Sequence, residues 1–327
     1  MSVLISVVIP TYQRVALLTR CLDMLMLQRF DADSFEVIVV SDGPHRPSEV
    51  KVNEYLANPA NPVVRYRTLP KRMGPAAARN LGWRQAIGNL IAFTDDDCLP
   101  DPGWLEAAWI GFKSTDDRAG AFTGRVIVPC PWMPTDYERN VSHLETAEFV
   151  TANCFCTRSA LESVKGFDER FPIAWREDSD LEFSLLNCGI PIRYLDQACV
   201  IHPVRTGSWG ISLREQKKTI YNALLYKKFP GLYRTRIQPR PPWHYYLAVI
   251  FFVIFLASCT NILPVFLLLP ALILWFVVSG SFLTTRLRGT SHAPGHVLEM
   301  IVTSLCIPFL SVFWRLYGAL KYKTLFL

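Results

Sequence analysis

Leu90-Ile91-Ala92-Phe93-Thr94-Asp95-Asp96-Asp97-Cys98 is an apolar run that stops at three consecutive carboxylates, and Pro100-Asp101-Pro102-Gly103 follows at once. The run fits a buried strand, and the Pro/Gly group fits the turn that ends it. Three carboxylates at the end of a buried strand repel one another strongly unless a cation sits among them or the chain opens into solvent. Asp95 and Asp97 are two positions apart and so face the same way. Few protein oxygens then leave room for the waters and phosphate oxygens that Mg2+ or Mn2+ prefers. A solvated acidic turn is the other reading of the same three residues.

Upstream of this run, short apolar stretches alternate with helix-like ones. Ile5 to Ile9 reads as a strand, Val15 to Leu27 as an amphipathic helix, Glu36 to Val40 as a second strand and Val63 to Thr68 as a third. Pro75 to Ile87 reads as another helix. Alternation at this pitch predicts βαβ units and a mostly parallel sheet, in which ligands bind at the carboxyl ends of strands near a reversal of strand order. Thr11, Asp42, Arg79 and Asp95 to Asp97 all fall at or beside that edge. Asp42, before Gly43-Pro44, either shapes a turn or accepts hydrogen bonds from a nucleobase or ribose. In Gly74-Pro75-Ala76-Ala77-Ala78-Arg79-Asn80-Leu81-Gly82, Pro75 suits a first helical turn and the alanines allow close approach to another backbone. Arg79 on that small face suggests an anion nearby, with Lys71 and Arg72 upstream either adding to a diphosphate field or serving as surface charge.

Downstream, Glu177-Asp178-Ser179-Asp180 reads as the acidic first turn of a helix, where the helix dipole favours carboxylates. A carboxylate desolvated near the Trp175 ring would instead have its pKa raised towards the range a general base needs. Ala198 to Ile201 is a short strand that ends in His202-Pro203-Val204-Arg205. A lone histidine is usually structural, but one at a strand end near an arginine suits a metal and diphosphate site.

The chain has 327 residues, 50% of them hydrophobic, and a mean hydropathy of +0.20. No charged residue occurs from Tyr245 to Thr285, a run that at ~1.5 Å per residue crosses a ~30 Å hydrocarbon core about twice. Asn261 and Pro264 mark the turn, giving expected spans over 245–262 and 265–283, with a buried soluble hairpin as the alternative. A third apolar helix over 297–315 is short of uncharged residues, contains Pro308, and is expected to lie at the interface or re-enter rather than cross. Arg234, Arg236 and Arg240 before the run, and Arg286 and Arg288 after it, place the first part of the chain on the cytoplasmic side of the inner membrane. The resulting division is a catalytic domain over 1–235 and a membrane domain over 236–327. Of the net charge of +6, +4 lies in residues 243–327, where the anionic leaflet attracts it, and no nucleic-acid partner is expected. The apolar run Val3 to Ile9 is too short for a signal peptide. The nine cysteines match no CxxC zinc pattern, give no support to cysteine catalysis, and suit a reducing compartment.

Taken together, Val7-Val8-Ile9-Pro10-Thr11-Tyr12, Asp42, Gly74 to Gly82, Asp95 to Asp97, Gly166-Phe167-Asp168-Glu169, Glu177-Asp178 and His202 resemble the family 2 glycosyltransferases of the α/β GT-A fold. The resemblance implies a nucleotide-diphosphate sugar donor, with Thr11, Asp42, Arg79, Asp95, Asp96 and Arg205 around the nucleotide. It implies an Mg2+ or Mn2+ site at Asp97 and His202, within the Asp95-x-Asp97 pattern, and Asp178 as the base of an inverting transfer. Trp175, Glu177 and Asn153 fall on the acceptor side. Gln13 stands where the family often has Asn, and no Gln-x-x-Arg-Trp follows Asp178, which speaks against a processive polysaccharide synthase. A lipid or lipid-linked acceptor is expected from the membrane segment. A soluble acceptor, or an inactive sugar-nucleotide-binding scaffold, remains the alternative, and the oligomeric state stays open.

Overall fold

The computed structural model describes residues 3–114 and 120–326, which divide into two compact units. The first comprises Met1–Pro129 and His143–Val204, and the second Cys130–Ser142 and Arg205–Leu327. The domain boundary thus falls earlier than residue 235, and a segment from the first half of the chain joins the second unit.

The first unit is built on eight strands: β1 (Ile5–Thr11), β2 (Phe35–Ser41), β3 (Val63–Thr68), β4 (Leu90–Phe93), β5 (Leu99–Pro100), β6 (Ala121–Ile127), β7 (Cys154–Thr157) and β8 (Ile192–Ile201). Their order in the sheet is β3-β2-β1-β4-β7-β6-β8-β5. The β3-β2-β1-β4 half is parallel throughout, joined by the helices Val15–Met26, Arg46–Leu56 and Pro75–Gln85. Covered by helices, β1, β2 and β4 have every residue buried, as their near-continuous apolar sequences require. Beyond β4 the sheet becomes mixed: β7 runs antiparallel to both β4 and β6, β8 is parallel to β6, and β5 is antiparallel to β8. The mostly parallel expectation therefore describes the β3-β2-β1-β4 half, and the four-residue β7 is what breaks it. Strand order reverses between β1 and β4, so the carboxyl ends of these two strands border the crevice where such sheets take ligands.

The helix Pro75–Gln85 approaches the sheet closely at Gly82. A Cβ there would lie 2.4 Å from Val8 Cγ1 and 3.2 Å from Val40 Cγ2. Gly82→Ala is expected to destabilise the fold by about 2 kcal/mol through overpacking, read as a lower denaturant midpoint at constant slope. An unchanged midpoint would mean the helix can retreat freely.

The second unit is helical. Val265–Leu287 and Pro294–Lys321 are long and apolar enough to cross a membrane, and Trp243–Cys259, at 17 residues and about 26 Å, lies at the lower limit for a crossing. The helix of the third segment starts at Pro294, runs through His296 and Glu299, and continues past the buried Pro308. Residues 210–238 flank it along its length: Gly210 N donates to Glu299 Oε1 at 2.7 Å, Arg315 Nη1 donates to Gln238 Oε1 at 3.1 Å, and Lys227 Nζ donates to Tyr322 O at 2.8 Å. Its length alone therefore does not overturn the interfacial expectation. Inside this unit Arg286 Nη2 donates to Asp136 Oδ2 at 2.7 Å, and Arg286 Nη1 to Thr303 Oγ1 at 2.6 Å and Ser304 Oγ at 3.0 Å. Among the described residues no cysteine forms a disulfide.

Candidate active site

Val8 pairs with Phe93 across β1 and β4, so the residues after Phe93 leave the sheet level with the last residues of β1. Thr11 Oγ1 donates to Asp96 Oδ2 at 2.7 Å, and Arg14 Nη1 donates to Asp96 Oδ1 at 3.2 Å. Asp96 is thus the inward member of the triplet, pushed up to about 6 by burial against the opposing pull of Arg14 and Thr11. The turn after β4, closed by Cys98 N donating to Asp95 O at 3.1 Å, aims this middle carboxylate at the end of β1, so that Thr11 and Asp96, both expected at the nucleotide, are held side by side.

The outer two carboxylates meet a histidine. Ligand atoms of Asp95, Asp97, Cys98 and His202 lie within 4.8 Å of one another. The backbone N–H of His202 donates to Ile127 O at 2.8 Å, continuing the pairing beyond β8 and fixing the imidazole at the sheet edge. His202 Nε2 stands 3.7 Å from Asp97 Oδ1, too far for a hydrogen bond and close enough for two ligands of one ion. His202 Nδ1 is buried with no hydrogen-bond partner among the described residues, a cost that a bound group would relieve. Burial, with Asp95 and Asp97 adding to it, raises the Cys98 thiol, so two carboxylates and an imidazole are the ready donors. That set suits Mn2+ or Mg2+.

Behind the cluster lies Arg79. Its Nη2 donates to Asp95 Oδ1 at 2.7 Å and its Nη1 to Glu177 Oε1 at 3.2 Å, with the guanidinium carbon 5.6 Å from the Phe167 ring centre. Arg79, expected at the diphosphate, is buried and bridges two carboxylates, while its Nε has no hydrogen-bond partner among the described residues. Glu177, expected on the acceptor side, is instead its buried partner, pushed up to about 7 by desolvation and by Asp178, against the pull of Arg79. Asp178, next on the Glu177–Asn187 helix, keeps partial exposure and accepts from Ser179 N at 2.6 Å through Oδ1. The chain Glu177–Arg79–Asp95 therefore brings the helix start that bears Asp178 to the carboxylates of β4. Trp175 is half-buried, with the Arg176 guanidinium carbon 4.6 Å over its ring.

Other assignments shift as well. Asp42 accepts from Met73 N at 2.6 Å and from Gly74 N at 3.0 Å, so it pins the loop that starts the Pro75–Gln85 helix. Asn153 is fully buried, its amide donating to Arg125 O and Ala198 O and accepting from Trp104 Nε1, each at 2.8 Å. With both ends of the amide committed inside the sheet it has nothing to offer an acceptor. Asn153→Ala is expected to cost at least about 2 kcal/mol in stability by stranding these groups, with acceptor affinity unchanged. A rise in acceptor KM at intact stability would reinstate the acceptor role. Arg205 is exposed and belongs to the second unit.

Arg14 alone escapes a reading by motif, and Cys98, Arg72 and Asn80, which lie in or beside the quoted stretches, gain specific partners. Arg14 was one of 34 basic residues with no local signal, and Cys98 was masked by its acidic neighbours. Arg72 stacks its guanidinium 4.4 Å from the Tyr12 ring centre. Asn80 joins two of the quoted motifs by donating to Phe167 O at 2.9 Å and accepting from Phe167 N at 2.9 Å. Gly166 makes that junction possible: its φ is +73°, and a Cβ would lie 2.5 Å from Asn80 Oδ1. Gln13, at φ +54°, holds a left-handed conformation that Asn adopts more readily.

Comparison with known proteins follows this geometry. The family model for glycosyl transferase family 2 matches residues 6–150, and that for glycosyl transferase family group 2 matches residues 92–278. Validoxylamine A glucosyltransferase of Streptomyces hygroscopicus subsp. jinggangensis is 27% identical over 255 residues, covering 65% of this chain and 56% of the relative. Pre-mycofactocin glycosyltransferase of Mycobacterium tuberculosis is 30% identical over 217 residues, covering 62% of this chain and 43% of the relative. The chain spans about half the length of these curated relatives. The solved mannosyltransferase PcManGT from Pyrobaculum calidifontis, in complex with GDP-Man and Mn2+, matches with a TM-score of 0.58 at 17% identity, over 98% of this chain and 86% of that one. At this identity the likeness shows the fold, and it agrees with the GT-A architecture.

Proposed function

Because the chain belongs to the family 2 glycosyltransferases, we propose that it transfers a hexose from a nucleotide-diphosphate sugar, with inversion, to a lipid or lipid-linked acceptor at the cytoplasmic leaflet of the inner membrane. One observation carries this reading. Three side chains able to ligate a divalent ion converge at the carboxyl edge of the sheet, and Arg79 links them to the helix start bearing Asp178.

Asp97 and His202, with Asp95 beside them, would hold Mg2+ or Mn2+. Such an ion, when bound, offsets the charge that grows on a departing nucleotide diphosphate. Asp178 takes the acceptor hydroxyl proton as that oxygen attacks the anomeric carbon. Arg79 keeps Asp95 in place and holds Glu177 so that the next residue, Asp178, keeps its orientation. Asp42 and Asp96 set the loops on either side. UDP is the nucleotide of choice in this proposal, although the solved neighbour carries GDP-Man. The named relatives differ in acceptor, so the lipid acceptor rests on the apolar helices and their basic flanks. A soluble acceptor is the competing reading.

The deciding assay uses the full chain in detergent with Mg2+ or Mn2+ and a panel of nucleotide sugars, following nucleotide diphosphate release with and without a membrane lipid extract. Release from one donor only when lipid is present supports the proposal. Release that needs a soluble acceptor moves the acceptor off the membrane. Metal-dependent donor binding with no turnover on any acceptor overturns the enzymatic reading in favour of a scaffold.

A further inference from the structure

We propose that the loop at residues 130–134, Cys-Pro-Trp-Met-Pro, is a membrane-interface anchor whose Trp132 and Met133 enter the headgroup region of a phospholipid bilayer. The inference rests on reading Trp243–Cys259 and Val265–Leu287 as a membrane hairpin.

Trp132 is 95% exposed and Met133 44%, the first being the most exposed large apolar side chain among the described residues. An indole in bulk water is an unfavourable use of so much apolar surface, and a bilayer interface, apolar on one side and wet on the other, is where tryptophan is enriched. The loop is stiff. Pro131 and Pro134 bracket the pair and Pro129 precedes them, so little chain entropy is lost when the tip is held.

The height of the tip is fixed by what holds it. Val265–Leu287 has 23 residues, about 34 Å of helix, enough to carry Arg286 and Arg288 to the far edge of a hydrocarbon core of ~30 Å. The next helix starts at Pro294, so the connection over 288–293 stays at that one interface. The loop is fastened to this connection: Ser291 N donates to Pro134 O at 2.8 Å, and Arg139 Nη1 donates to Arg288 O. Two residues after the loop, Asp136 accepts from the buried Arg286 at 2.7 Å, and its backbone N–H donates to His296 Nε2 at 3.0 Å. His296 Nδ1, 2.6 Å from Ser291 O, is thereby left as the donor, which locks the ring between the connection and the loop. The tip thus sits at the level where Val265–Leu287 emerges. Arg288, exposed on the connection, adds attraction to anionic headgroups.

The test reconstitutes the full chain in phosphatidylcholine–phosphatidylglycerol vesicles whose acyl chains carry bromine near the headgroup or near the bilayer centre. Difference spectra against Trp132→Phe and Trp275→Phe isolate the emission of each indole. Because Trp132 makes almost no packing contact, its replacement leaves the fold intact. Trp132 is expected to lose more emission to the shallow bromines than to the deep ones, and Trp275, midway along a span, to show the reverse order. Quenching of Trp275 without any quenching of Trp132 overturns the anchor and leaves the spans standing. Quenching of neither removes the membrane reading itself. A Trp132 signal that ignores lipid but changes on adding a soluble sugar acceptor assigns the loop to acceptor binding and also overturns the anchor.

Discussion

An Asp178→Asn variant is expected to transfer sugar about 10²–10⁴-fold more slowly than the parent, the usual contribution of a positioned general base, while binding nucleotide sugar with unchanged affinity. That loss is about 3–5.5 kcal/mol of barrier. Two carboxylates stand side by side at this helix start, and their surroundings separate their roles. Glu177 is buried against Arg79, so taking a proton from an acceptor would break a buried ion pair. Asp178 has no such partner and keeps solvent access. The substitution is nearly isosteric, and losing one first-turn charge costs the helix only about 0.3–1 kcal/mol. Without the Asp178 charge Glu177 ionises more readily, since Asp178 is one cause of its raised pKa, and the pair with Arg79 strengthens. Slow transfer with a normal unfolding midpoint and a normal donor Kd by calorimetry is therefore the expected result. Equal loss of turnover and donor affinity would make Asp178 a binding residue and remove it as the base.

The Glu177 comparison shows where the sequence was legible and where it was not. The parallel half of the sheet, with its helices, followed from alternation and periodicity, because β1, β2 and β4 are buried on both faces and have no choice but to be apolar. The shared side of 95 and 97, facing the cluster with His202 while 96 turns to Thr11 and Arg14, was also anticipated, although a turn closed by Cys98 N and Asp95 O sets it and not strand alternation. Long-range partners were not legible. Nothing local says that Arg79 is shared between residues 16 and 98 positions away, or that Asn153 bolts Trp104 to two strands, since such pairings arise only once the sheet is assembled. A basic residue on a small helical face reads as an anion site whether the anion is a diphosphate or the protein's own carboxylates. The partners of the helix Pro294–Lys321 were hidden for a related reason: Thr303 and Ser304 accept from Arg286 of the preceding helix, and Glu299 accepts from Gly210 N, pairings that exist only once the unit is assembled.

Asp97→Ala should abolish metal-dependent donor binding. Asp97 is buried beside His202, and the two are held by different strands, Asp97 just after β4 and His202 at the end of β8. The cluster is thus pre-formed by the sheet and loses a ligand outright when the carboxylate goes, with no neighbour able to swing in: Asp95 is engaged by Arg79 and Asp96 by Thr11 and Arg14. Altering residues that merely orient a metal ligand costs 10–100-fold in affinity, so removing the ligand is expected to weaken Mn2+ binding by about 100-fold or more. The fold should survive, because deleting one of several crowded carboxylates relieves repulsion in the absence of metal. Mn2+ binding followed by electron paramagnetic resonance reads the effect without any turnover, and nucleotide-sugar affinity measured with and without EDTA reads its consequence. The parent should lose donor affinity on chelation and the variant should show the low value throughout. A variant that binds Mn2+ as the parent does would move the ion away from Asp97. Full turnover of the variant in EDTA would take the metal out of the reaction and leave the charge of the leaving group to be met by the protein's own cations.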